Sequence, residues 1–200
     1  MLENVSDRKL YHVTVTKPYK QALVANQKIL AGSEYNPFFR FYEGVIEYPV
    51  THNGGTIQVK AVAWLRRVHE KAIATNPEIL ASIAYDVTRH YVMLCRELIM
   101  EEVRKEEFSA NPPSRQRCLY LCDSLEEARY WKGRLGGGTV CELMCTGTLH
   151  RADARLLLAD SEPLSVTRDR ARAYWRGEKG DNPEMETLFV GDATVIAIVP

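Results

Sequence analysis

The stretch Pro183-Glu184-Met185-Glu186-Thr187-Leu188-Phe189-Val190-Gly191-Asp192-Ala193-Thr194-Val195-Ile196-Ala197-Ile198-Val199-Pro200 decides how the rest of this sequence is read. It predicts a polar turn, a strand over 187–190, a hairpin turn at Gly191-Asp192 and a second strand over 193–199. Glu184 and Glu186 stand where the turn enters the first strand. Residues two apart on a strand share a face, so this spacing predicts that both carboxylates address one pocket. The apolar content around them predicts a central position in a sheet. A single Glu at a strand mouth is most often solvated; the chain elsewhere has to supply the reason to read these two differently.

Working outward, 200 residues suit one domain over 1–200 with a sizeable core. Hydrophobic residues make up 46% and charged residues 26%, ordinary for a globular protein. Lys plus Arg is 26 and Asp plus Glu is 26, so no global basic field marks the chain for nucleic acid. The first residues carry no apolar signal segment, and no apolar run approaches a membrane span, which predicts a cytoplasmic protein without a membrane partner. Five cysteines suit a reducing compartment. Cys118-x3-Cys122 and Cys141-x3-Cys145 have metal-like spacing, but both pairs fall on expected strands, where residues four apart lie about 13 Å from each other. They are read as small buried hydrophobes, and no metal is expected.

Lys9 to Thr16 predicts a strand halted by Pro18, and Tyr19 to Ala31 a helix closed by Gly32. The aromatic stretch 34–48, broken by Pro37 and Gly44, reads as a loop or lid. Gln58 to Ala74 and Glu78 to Phe108 read as helices, the second capped by Asn76-Pro77, with Ile79, Ile83, Val87, Tyr91, Leu94, Leu98 and Val103 along its apolar face. Its charged second half, around Arg96-Glu97 and Glu101 to Glu107, reads as a solvated face. Residues of about 55–108 thus form a helical insertion suited to a partner, a target or a second copy. Ala110 to Arg115 is a breaker cluster and the expected internal boundary.

A strand over 117–122 then leads through Asp123 and Ser124 into a helix, with Ser124 and Glu127 spaced as a capping box. Tyr130 and Trp131 lie on that helix, which ends toward Gly136-Gly137-Gly138. The glycines follow a helix, so they lack the context of a phosphate cradle and read as a turn. Thr139 to Leu149 is a further strand and Ser165 to Gly177 a helix.

Three of these pieces, in order, resemble the ADP-ribosyltransferase superfamily of the His-Tyr-Glu type. Leu10-Tyr11-His12-Val13-Thr14 resembles its first motif, with Val13 where many members carry Gly. The strand at Tyr120 and its following helix resemble the second, and Glu184-x-Glu186 before an apolar strand resembles the third. The likeness is nearest a bacterial family without an assigned activity, and extends more distantly to rifamycin ADP-ribosyltransferases and RNA 2′-phosphotransferases. It covers roughly 9–16 and 114–199.

The resemblance implies an α+β fold with a split β-sheet core and NAD as co-substrate. It assigns His12 and Thr14 to the adenosine ribose, and Tyr120 with Tyr130 or Trp131 to the nicotinamide, entered through Ser124. Glu186 would stabilise the oxocarbenium-like ribose, and Glu184 would orient the nucleophile. Arg115, Arg117, Arg151, Arg168, Arg170 and Arg172 suit the NAD pyrophosphate, a phosphate-bearing partner or a solvated surface. The acceptor implied is a macromolecule, protein or nucleic acid, as for a toxin or phage-conflict effector. The competing readings are an idle interaction module of the same fold, an NAD hydrolase and an RNA phosphate-directed transferase.

Overall fold

The computed structural model describes residues 2–15, 23–52, 55–109, 111–157 and 162–199. The fold is mixed α/β with antiparallel sheets. Strand β1 (Leu2–Thr14) is followed by β2 (Lys28–Ala31), helix α1 (Pro37–Glu43), β3 (Glu47–His52), β4 (Gly55–Lys60), α2 (Ala61–His69) and α3 (Pro77–Glu107). Then come β5 (Leu119–Leu121), α4 (Leu125–Arg134), β6 (Thr139–Asp153), a 3₁₀ turn at Ala154–Leu156, α5 (Leu164–Arg176) and β7 (Met185–Val199).

The long strand β6 carries β1 on one edge and β7 on the other, and the far edge of β7 takes β5 and β2. Just past β5, Cys122 exchanges both backbone hydrogen bonds with Tyr11 of β1, at 3.0 and 2.8 Å. The path β1-β6-β7-β5 therefore returns to β1, and the sheet closes on itself. Leu10, Leu121, Leu143, Leu149, Phe189 and Val195 belong to one buried cluster inside this closure. A second cluster joins the sheet to the helices: Met100 and Val103 of α3, Tyr174 and Trp175 of α5, and Leu188 of β7. Burial of such side chains stabilises by about 1.5–3 kcal/mol each.

Several expectations are corrected. The hairpin expected at Gly191-Asp192 does not form, because β7 runs through it as one strand, with β6 paired along both halves. Gly191 is a close-approach glycine: it sits opposite Gly147, and a Cβ there would lie 2.4 Å from the Thr146 carbonyl oxygen and 3.2 Å from the Phe189 ring. Within the described part of 19–31 the helix is replaced by a turn at 25–26 and β2; residues 16–22, with Thr16 and Pro18, lie outside the described residues. The loop expected over 34–48 contains α1, nucleated by Asn36, whose Oδ1 accepts from Phe39 N at 2.9 Å. The helix expected from Gln58 starts only at Ala61, because the β-branched run Thr56, Ile57, Val59 pairs with β3 instead.

The start of α3 is as its sequence predicts, with Asn76 Oδ1 accepting from Ile79 N at 2.7 Å. Its orientation is only partly so: Ile83 and Val103 of the expected face are buried and Val87 and Leu94 half-buried. Ile79, Tyr91 and Leu98 are about half exposed, whereas Met93, Arg96, Glu97, Met100, Glu101 and Arg104 are buried. Arg96, Glu97, Glu101 and Arg104 are therefore core, while Lys105, Glu106 and Glu107 at the end of the helix keep the solvated face that the sequence predicts. The described part of the expected boundary, 111–115, is not loose either: Ser114, Arg115 and the following Gln116 are buried. Salt bridges Arg168–Glu102 and Arg172–Glu107 and the bond from Trp175 Nε1 to the Met100 carbonyl at 2.8 Å clamp α5 to α3.

Candidate functional site

At the end of the sheet where β7 begins, α4 and the chain before β7 form an open groove of about 470 Å³. Ser124 starts α4 by accepting from Glu127 N at 3.1 Å, while the Glu127 carboxylate accepts from Asp123 N at 3.0 Å. That capping fixes the helix so that Tyr130 and Trp131 both line the groove, their ring centroids 5.8 Å apart and near-perpendicular. Trp131 is anchored by its indole N–H, which donates to the Met185 carbonyl at 2.9 Å. Opposite lie Glu184, held by Arg155 at 3.2 Å and Arg134 at 3.3 Å, and Asp181. Desolvation and a hydrogen bond with Glu184 raise the pKa of the Tyr130 phenol.

Glu186 does not share this groove. Regular strand geometry begins at Met185, and Glu184 is held in the preceding loop by Asp153 Oδ1, which accepts its N–H at 2.9 Å. Glu186 instead points its carboxylate at Arg115 and accepts from the Tyr174 hydroxyl at 2.7 Å. Arg115 is 3% exposed and Glu97 is 1% exposed. The Arg115 guanidinium donates to Glu97 at 3.0 Å and to the Tyr174 hydroxyl at 2.8 Å, and Arg96 donates to the same Glu97 at 2.7 Å. The result is a buried chain Arg96–Glu97–Arg115–Glu186 with two formal charges of each sign. Burial opposes the Arg115 charge, but the Glu186 and Glu97 carboxylates outweigh it and hold the guanidinium protonated. Burial likewise opposes the Glu97 charge, and Arg115 and Arg96 outweigh it, leaving its pKa below the usual carboxylate value.

Tyr120 joins the chain from β5. Its hydroxyl donates to the Arg115 carbonyl at 3.0 Å, and the His12 ring pairs through Nδ1 with the Tyr120 carbonyl at 2.8 Å. Thr14 is 7% exposed and its hydroxyl lies 4.0 Å from Cys141 Sγ, so it is packed into the sheet and not presented to a ligand. The structure thus links His12, Tyr120, Arg115 and Glu186, gathers Tyr130, Trp131 and Glu184 in the groove, and uses Ser124 as a helix cap.

Sequence reasoning missed Glu97 and Tyr174. Their signal was positional: Glu97 is on the same helical stripe as Met93, Met100 and Arg104, which a search for apolar residues passes over.

The arginines considered for phosphate are largely committed. Arg151 pairs with Asp123 and Glu127, Arg168 with Glu102, Arg170 with Glu162, and Arg172 with Glu107 and Asp169. Arg117 donates to the Ser33 carbonyl at 2.6 Å and lies 4.5 Å from the Tyr35 ring centroid. Cys118, Cys122, Cys141 and Cys145 are buried and Cys95 is exposed. Burial pushes the Cys122 and Cys145 thiols up to about 12. Among the described residues no group of His, Cys, Asp and Glu is placed to hold a metal ion, and no helix is long and apolar enough to cross a membrane.

The family described as "Protein of unknown function (DUF2441)" matches residues 10–200, and the chain belongs to it. No curated protein matches the chain.

Proposed function

We propose that this DUF2441 family member is an NAD-dependent ADP-ribosyltransferase whose cleft is the groove under Tyr130 and Trp131. One observation carries the reading. Residues named by the resemblance from separate parts of the chain, Tyr130 and Trp131 on α4 and Glu184 before β7, line a single open groove. The next motif residue, Glu186, begins the strand beyond the groove residue Met185.

A flat cationic ring such as nicotinamide suits the aromatic faces and the carboxylates of Glu126, Glu127, Asp181 and Glu184 along this groove, of which Glu127 pairs with Arg151 and Glu184 with Arg155 and Arg134. Breaking the bond between nicotinamide and ribose develops positive charge on the sugar, which carboxylates fixed in advance stabilise. Of the two motif carboxylates, Glu184 is the one that lines the groove. Glu186, held by Tyr174 and Arg115, is fixed at the strand mouth. In this reading His12 and Tyr120 shape the adjoining end of the sheet, and the acceptor of the ADP-ribose is a macromolecule.

The test is a lysate labelling assay with NAD labelled on its adenylate, run beside titration calorimetry of purified protein with NAD. Wild type is expected to bind NAD and to label a macromolecule, with label lost in Glu184→Gln and Glu186→Gln while the circular dichroism melt of Glu184→Gln stays native. Nicotinamide release without label would turn the reading to an NAD hydrolase. Absence of NAD binding by wild type would overturn the reading in favour of an idle interaction module.

A further inference from the structure

The second small sheet, β3 and β4, carries its own backbone pairing and, among the described residues, pairs with none of the strands of the main sheet. Lys60 ends β4 and is at once the N-cap of α2, so ribbon and helix form one continuous unit. Trp64 and Ala61 of α2 are buried, at 7% and 2% exposure. The Tyr48 hydroxyl ties the ribbon to α3 by donating to Asp86 at 2.9 Å. The inner face of this lobe is therefore docked on the body, and its outer face meets solvent.

That outer face is where unneutralised positive charge collects. Lys60, Arg66, Arg67 and Lys71 are all exposed, and among the described residues none of them forms a salt bridge. Elsewhere Arg96, Arg104, Arg115, Arg151, Arg168 and Arg172 face carboxylates, and the other described cations without a salt bridge, Lys28, Arg89, Arg117, Arg129, Lys132 and Lys179, are divided among several elements. The acids of the lobe are Glu47 and Glu70. Lys60 and Arg67 are seven residues apart, about two helical turns or 10 Å, on one side of α2. Thr56 and Gln58 extend the same polar strip along the exposed side of β4.

We infer that the outer face of β3, β4 and α2 is a contact surface for the phosphate backbone of double-stranded nucleic acid. Charge complementarity selects a polyanion. Lipid is disfavoured because Trp64 and Ala61 of α2 are turned inward, which among the described residues leaves only Val62 and Ile57 as large exposed apolar side chains of the lobe, too few for a helix lying on a membrane. Single strands are disfavoured because, among the described residues, the lobe's large aromatic rings are not free for bases to stack on: Trp64 is buried, and Tyr48 is half-buried and tied to Asp86. Exposed cations on a ribbon-and-helix unit fit a row of phosphates, without base-specific readout. The inference is independent of NAD, and its test uses none.

The full chain is titrated into fluorescein-labelled 20-base-pair duplexes, one of DNA and one of RNA, and anisotropy is followed from 50 to 200 mM salt. Up to four phosphate contacts predict a slope of log K against log salt near −3.6, so that affinity falls about 100-fold across that range. Which duplex binds more tightly identifies the nucleic acid. Combined Lys60→Glu, Arg66→Glu, Arg67→Glu and Lys71→Glu is expected to abolish binding with a native circular dichroism spectrum. Should that variant lose its fold, Arg66→Gln alone is expected to reduce the slope by about one. No binding at 50 mM salt, unchanged binding by the folded charge-reversed variant, an unchanged slope in Arg66→Gln, or equally effective competition by polyglutamate or anionic vesicles would each overturn the inference.

Discussion

Replacing Glu97 by Gln is the perturbation that most directly tests the buried chain beneath the sheet. The carboxylate is 1% exposed and receives Arg115 at 3.0 Å and Arg96 at 2.7 Å. Gln keeps the shape and two of the lone pairs but removes the charge, so both Arg96 and Arg115 lose the Glu97 carboxylate. Stripping one partner from a buried ion pair costs about 3–5 kcal/mol, because the remaining charge stays desolvated. An exposed pair would cost about 1 kcal/mol or less. The loss is a large fraction of a typical stability of about 5–15 kcal/mol. Urea unfolding followed by Trp fluorescence reads it directly, since Trp175 packs in the same region of α3 and α5. A companion double variant, Glu97→Leu with Arg115→Met, removes the two central charges of the chain together and is expected to lose clearly less than the sum of its single changes. A Glu97→Gln midpoint within about 1 kcal/mol of wild type at unchanged slope would refute the buried assignment and return the second half of α3 to solvent.

The other predictions concern buried titratable groups. His150 is 1% exposed, and burial pushes its pKa from 6.5 down to about 4. The unfolded chain then binds more protons than the folded one between those values, so stability is full above pH 6.5 and falls by up to about 3 kcal/mol as pH drops to 4. His150→Gln, which can still donate to the Tyr174 carbonyl, should flatten that slope in pH-dependent urea melts; an unchanged slope would show that His150 does not cause it. Thiol chemistry gives an independent reading of the sheet. With Cys95 exposed and the other four cysteines buried, a thiol reagent at pH 8 should titrate about one group in the native protein and all five in denaturant. Rapid native labelling of three or more would contradict the closed sheet.

The sequence made local features legible and concealed distant ones, and the reason is physical. Asn76-Pro77 starts α3, Ser124 starts α4 and Gly177 closes α5 in the left-handed conformation, because each signal acts within a few residues of itself. Gly191 carried the local signature of a turn, yet its conformation is set by Gly147 on the neighbouring strand and by the Phe189 ring, which no local rule contains. Glu97 shows the same limit for charge. Its partners Arg96 and Arg115, and through Arg115 the groups Tyr174 and Glu186, arrive from four segments of the chain. Read alone, Arg96-Glu97 looks solvated because an isolated charge should avoid burial. Assembled, each charge removes the other's reason to stay in water. The resemblance named Arg115 and Glu186 without their neighbours, and it is the neighbours that set the electrostatics: Glu186 faces the buried Arg115 and Tyr174, whereas Glu184 meets the exposed Arg155 and Arg134 at an open groove. A difference in NAD turnover between Glu184→Gln and Glu186→Gln would thus report which of the two carboxylates meets the substrate, a question that the Glu-x-Glu spacing alone had merged into one.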